Sequence, residues 1–115
     1  MPRSSAAPAW REARPVFAAL GDETRLRIVE RLCGEGPLSA TRLAGDAAVS
    51  RQALAKHLHV LAGASVVSGV RVGREVLWCL EPARLAAARR LLDGISREWD
   101  ARLERLRRLV EPPDR

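Results

Sequence analysis

The stretch from Leu38 to Leu61 constrains the fold of this chain more than any other. Ser39 has Leu38 before it and Leu43 four residues after it. Ser50 repeats the arrangement with Val49 and Leu54. A hydroxyl cap inside an apolar staple fixes how a chain enters a helix. The stretch therefore reads as two short helices joined by a tight turn, the second running from Ser50 to Ala62. In that helix Leu54, Leu58 and Leu61 recur at i, i+4 and i+7 and mark a buried stripe. Arg51, Gln52, Ala55, Lys56 and His59 point away from it. Arg and Lys can donate to guanine, and Gln can read adenine with two hydrogen bonds. This is the pattern of a helix-turn-helix with a recognition helix. An ordinary helical hairpin with a solvated face fits the same residues equally well, and the rest of the chain decides between them.

The 115 residues suit one domain with a modest core. Twenty Lys and Arg against 14 Asp and Glu give a formal charge of +6, which favours an anionic partner, most commonly nucleic acid. Lys56 is the only lysine, so the excess of charge matters more than the choice of Arg. No run is long and apolar enough to span a membrane, and the first ten residues lack the apolar core of a signal peptide. Two cysteines, Cys33 and Cys79, are too few for a disulfide framework, so a reducing cytoplasm is the expected compartment.

Along the chain, residues 1–9 read as a mobile tail and residues 10–111 as one DNA-binding and dimerisation domain. A first helix over Trp10 to Leu20 shows Val16, Phe17 and Leu20 on an apolar face, and Pro15 is tolerated only near its first turn. Gly21 ends it and Asp22 caps the next helix, Glu23 to about Cys33. There Leu26, Val29 and Cys33 share a face, with Ile28 and Leu32 beside it. Gly34-Glu35-Gly36-Pro37 stops that helix. After the helix-turn-helix, Val70-Arg71-Val72 and Glu75 to Leu80 read as a two-stranded hairpin with Gly73 at or near its tip. A basic hairpin in this position is a wing, with Arg71 and Arg74 set to enter a narrow minor groove or hold phosphate. Glu81-Pro82 opens a last helix reaching about Val110. Leu85, Ala88, Leu92, Ile95, Trp99, Leu103, Leu106 and Val110 form a heptad-like seam along it. So small a domain cannot cover such a helix, and the seam implies a second copy. Gly94 offers a place to bend.

The fold class is therefore mainly α with a two-stranded β-wing: four helices, the hairpin and a long fifth helix. The order resembles the ArsR-type winged helix-turn-helix repressors, in the branch that needs no metal. The resemblance is carried by Leu20-Gly21-Asp22-Glu23-Thr24-Arg25-Leu26-Arg27-Ile28-Val29, Leu43-Ala44, Val49 to Leu58 with Val60-Leu61, and Gly73-Arg74-Glu75. One departure is Ser65, where the family usually has Gly at the recognition-helix exit. Gly63 suggests that the helix ends sooner here.

The resemblance implies a homodimeric repressor on an inverted-repeat DNA operator. Its DNA-facing positions fall on Ser50, Arg51, Gln52, Ala53, Lys56, His57 and the wing Arg74. Arg71, with Ser39 and Thr41 of the preceding helix, completes the expected DNA-binding set. His57 lies beside the apolar stripe and is equally readable as a half-buried structural histidine. The first and last helices form the expected dimer interface, through Val16, Phe17, Leu20, Leu92, Ile95, Trp99, Leu103 and Leu106.

No metal or other cofactor is expected. Ser39 and Thr41 stand where metal-sensing relatives carry a Cys-x-Cys pair, and hydroxyls do not replace thiolates for soft metals. The last helix has no His, and His57 and His59 are two apart on a helix and cannot chelate together. A thiol switch at Cys33 or Cys79 is an alternative, against two small buried hydrophobes. Trp78 and Trp99 are candidates for a small-molecule pocket near the dimer interface, though packing is the preferred reading, and an inducer is left open. Enzyme activity is not expected, because no phosphate loop, nucleophile elbow or acid–base pair is present. The remaining rival is a winged helix used for protein–protein assembly.

Overall fold

The computed structural model describes residues 8–46 and 49–111. The elements are α1 (Ala9–Leu20), α2 (Glu23–Glu35), β1 (Leu38–Ser39), α3 (Ala40–Asp46), α4 (Arg51–Gly63), β2 (Val67–Val72), β3 (Glu75–Leu80) and α5 (Pro82–Val110). Of the expected tail, residues 1–7 lie outside the described residues. Pro8 already caps α1, its carbonyl accepting from Arg11 N–H at 2.9 Å.

Side-chain chemistry sets most of the boundaries. Asp22 accepts from Arg25 N–H at 3.0 Å, Ser39 from Arg42 N–H at 3.2 Å and Ser50 from Ala53 N–H at 3.1 Å. Each removes one orphan donor from a helix start. Pro15 does not sit in the first turn as expected but inside α1. It is solvent-exposed, so the hydrogen bond it forgoes is lost on the wet side, while Ala13, Val16 and Ala19 fill the dry side.

α2 turns differently from the expected orientation. Ile28 and Leu32 are buried and Val29 half-buried, but Leu26 is 52% exposed and Cys33 is also exposed. The apolar stripe is thus narrower than the residues permit.

The sheet has three strands, not two, in the order β1-β3-β2, all antiparallel. Leu38 faces Trp78 and Ser39 faces Leu77. Two residues cannot show a strand alternation, and Ser39 serves both as strand and as helix cap. β2 begins at Val67, three residues before the expected start, and Val72 pairs with Glu75 across the tip. Gly73 holds φ +63°, the left-handed region that a two-residue hairpin loop needs at its first position. Across the sheet, Gly69 lies against Val76 and the Trp78 ring, close enough that an added Cβ would meet Val76 Cγ1 at 2.9 Å.

Gly63 is the last residue of α4, but it does not make the left-handed exit. Ala64 follows as the C-cap and Ser65 itself takes φ +59°. Ser65 N–H donates to Ala62 O at 3.0 Å and Val66 N–H to Leu61 O at 2.9 Å. This is the paired Schellman closure, normally built with Gly at the left-handed residue. Leu61 and Val66 are fully buried, so the exit is pinned by its apolar contact.

The core gathers Val16, Leu43, Leu54, Leu61, Val66 and Val67 from α1, α3, α4 and the entry to the sheet. α1 packs along α5, where Leu85, Ala88 and Leu91 complete the core. Beyond them α5 leaves the body, continuous through Gly94. Its 29 residues span about 43 Å at 1.5 Å each. Leu92, Ile95, Trp99, Leu103, Leu106 and Val110 lie between 40% and 72% exposed along it.

Candidate nucleic-acid interface

The capped start of α4 sets a basic face outward. Ser50, Arg51, Gln52 and Lys56 are exposed and Ala53 is half-buried, while Leu54, Leu58 and Leu61 are buried on the other side. His59 is exposed too. On the wing, Arg71 is exposed on β2 and Arg74 is exposed at the tip beside Gly73. None of Arg51, Lys56, Arg71 and Arg74 pairs with a carboxylate among the described residues. Unpaired cations on an exposed helix face and a hairpin tip are free to meet an anionic partner.

Two of the expected set are engaged inside the fold. Ser39 is 9% exposed and its hydroxyl accepts from Arg42 N–H, so its oxygen is spent on the start of α3. Thr41 is exposed, and its Oγ1 accepts from Arg51 Nη2 at 2.9 Å. This bond ties the first residue of α4 back to α3.

His57 has the structural environment of the two that its sequence allows. Its Nδ1 lies 3.3 Å from Arg25 Nη1 and 3.8 Å from Asp22 Oδ2. Arg25 also donates through Nε to Ala19 O at 2.6 Å. The three side chains join the corner between α1 and α2 to the middle of α4. The Arg25 backbone N–H, with the charges of Arg25 and His57, holds the Asp22 carboxyl below its ordinary value. Arg25 was not singled out in the sequence. Its position three residues after a capping Asp was the available signal, but nothing local links it to His57, far along the chain.

The expected dimer residues divide. Val16 is fully buried in the protomer's own core and offers no surface to a partner, a correction to its assignment. Phe17 and Leu20 are half-buried against that core. Leu92, Ile95, Trp99, Leu103 and Leu106 are all exposed on α5. Trp99, at 59% exposed, is therefore no core residue of the protomer, whereas Trp78 packs against the core.

Both cysteines are free thiols. Cys33 is exposed on α2 rather than buried, and Cys79 is half-buried on β3 opposite Ser68. Among the described residues no group of three or more His, Cys, Asp or Glu is placed to hold a metal ion. None of the described helices is long and apolar enough to cross a membrane.

The comparisons agree with this geometry. A helix-turn-helix domain family matches residues 20–70. The HTH-type transcriptional regulator Rv2034 of Mycobacterium tuberculosis is 39% identical over 102 residues, covering 89% of this chain and 92% of its own. Among solved structures, an ArsR-like transcriptional regulator from Rhodococcus sp. RHA1 is 42% identical. It superposes with a TM-score of 0.78 over 90% of this chain and 97% of that one. The homodimeric winged helix-turn-helix domain of Mb0332 from Mycobacterium bovis shares the fold. Its TM-score is 0.63 at 19% identity, over 85% of this chain and 92% of that one.

Proposed function

This chain belongs to the ArsR family of winged helix-turn-helix transcriptional regulators, and from that premise we propose that it is a homodimeric repressor that reads an inverted-repeat operator with α4. The observation that carries the reading is the exposed face of Arg51, Gln52 and Lys56, whose cations have no carboxylate partner among the described residues, together with exposed Arg71 and Arg74 on the wing. Arg51 and Lys56 supply donors to guanine edges or phosphates, and Gln52 suits adenine. Ser50 and Ala53 lie on the same turn, where the backbone of the duplex passes. Arg74 at the wing tip serves phosphate or minor groove. His57 holds α4 in place through Arg25 and Asp22 instead of reading bases, and Ser39 acts through its cap.

The dimer rests on α5. An exposed apolar seam of this length is stable in water only when covered. A second copy, related by a two-fold axis, covers it with the same residues, Phe17 and Leu20 at its edge. Such a pair presents two α4 helices to successive major grooves, about 34–36 Å apart.

Replacing Arg51 and Lys56 together by Ala tests the recognition face. Operator affinity drops at least tenfold, with thermal stability and sedimentation unchanged. Unchanged affinity in a folded dimer contradicts the assignment.

A further inference from the structure

A pocket of about 300 Å³ lies between α3, α4 and β3. Its apolar lining is Leu54, Ala55 and Leu58 of α4, Ala40 of α3 and Trp78 of β3. The polar groups at the pocket belong to Arg51 and Thr41, which are bonded to each other at 2.9 Å. Among the described residues no carboxylate answers the Arg51 guanidinium.

We propose that this pocket binds a small hydrophobic carboxylate, and that its binding competes with DNA for Arg51. An apolar lining with a few convergent polar groups is the ordinary form of a small-molecule site, and this volume stands at the small end of the range. The lining asks for an aliphatic or aromatic body that stacks on Trp78 and fills the gap beside Leu54 and Leu58. The guanidinium asks for an anion, and its planar fork matches a carboxylate with two hydrogen bonds. The Thr41 hydroxyl, released from Arg51, can donate a third. A neutral analogue leaves the guanidinium without its anion and forfeits that part of the affinity.

The link to DNA follows from the place of Arg51. It is the first residue of α4, and the same guanidinium cannot lie over a bound carboxylate and reach into a groove. By reciprocity, a ligand that takes Arg51 weakens DNA binding, and DNA weakens the ligand by the same factor. This second half rests on the DNA-binding role of Arg51; occupation of the pocket does not.

The test uses the full chain, with octanoate and phenylacetate as probes and 1-octanol and 2-phenylethanol as their neutral counterparts. Titration calorimetry in the absence of DNA should show the acids binding at least tenfold more tightly than the alcohols. Arg51→Gln should erase that preference, and Ala40→Leu, which builds into the pocket, should weaken acid and alcohol alike. Equal binding of acids and alcohols, an acid preference that survives Arg51→Gln, or no binding of either acid at about 10 mM, four decades above micromolar affinity, overturns the proposal. Operator titrations then address the coupling. Octanoate or phenylacetate at saturation should lower affinity at least tenfold. Acid binding without that loss would overturn the competition and leave the pocket assignment standing.

Discussion

Arg51 and His57 lie on one helix, less than two turns apart, in different surroundings. Arg51 is exposed and answers only to Thr41, whereas His57 is turned to Arg25 and Asp22. Sequence spacing separated the buried leucines of α4 from the polar residues. It left His57 with two readings, because its partner Arg25 is distant in sequence. Asp22 links this cluster to pH. Its carboxyl is held below 3.8 chiefly by the Arg25 N–H, and Arg31 holds Glu35 below 4.5. A lowered folded value stabilises at neutral pH, and the contribution fades as pH falls through the unfolded value toward the folded one. Asp22→Asn keeps a cap acceptor without the charge. Its melting temperature should lie below that of the parent chain at pH 7, with the gap closing below about pH 3.8. A gap that is constant with pH would contradict the role given to the charge. Ser65 offers a second residue-scale test. A non-Gly residue at φ +59° carries strain of about 1 kcal/mol. Ser65→Gly should raise stability by up to about 1 kcal/mol in denaturant melts, since part is offset by the freer unfolded chain. A loss of stability would mean that Ser65 makes a compensating contact.

At the scale of elements, the helices were legible because caps and apolar spacing act over a few residues. α1, α2, α3 and α4 all begin near the expected positions. What escaped depended on distant partners. β1 is two residues long and exists because β3 lies beside it. Leu26 is exposed because the neighbours of α2 cover only the Ile28–Leu32 side. The left-handed turn out of α4 falls on Ser65 and not on Gly63, because the closure joins buried Leu61 to buried Val66, even at the cost of a strained Ser65. The wing was visible as an element, and Gly73 takes the backbone form its position called for. Arg74 sits at its tip. Arg74→Ala should weaken DNA binding almost uniformly across sequences and reduce the salt slope by about 1, whereas loss of a base contact by Gln52→Ala should cost about 1–3 kcal/mol and relax specificity. Anisotropy titrations on matched and mismatched duplexes separate the two patterns. A sequence-selective loss for Arg74→Ala would place base reading in the wing.

The whole molecule is 71 Å in its longest dimension, because the second half of α5 stands away from the core. The periodicity of that helix was plain in the sequence, and so was its excess over what one domain can cover. Which residues face a partner was less plain. Val16 repeats the apolar pattern of Phe17 and Leu20, yet it is consumed by the protomer's own core. Trp99→Asp places a charge in the middle of the exposed seam. Sedimentation should then report a monomer whose helix content is nearly unchanged. A variant that stayed dimeric would move the interface off α5.

The central claim is that α4 and the wing read a specific duplex. Fluorescence anisotropy of the protein with a duplex from its own upstream region, against a scrambled duplex of equal length at several salt concentrations, tests it most directly. Specific recognition predicts that the upstream duplex binds at least about 1000-fold more tightly than the scrambled one at physiological salt, with both affinities falling as salt rises. Equal, weak and steeply salt-dependent binding to both would contradict recognition of that site and reduce the basic face to generic charge.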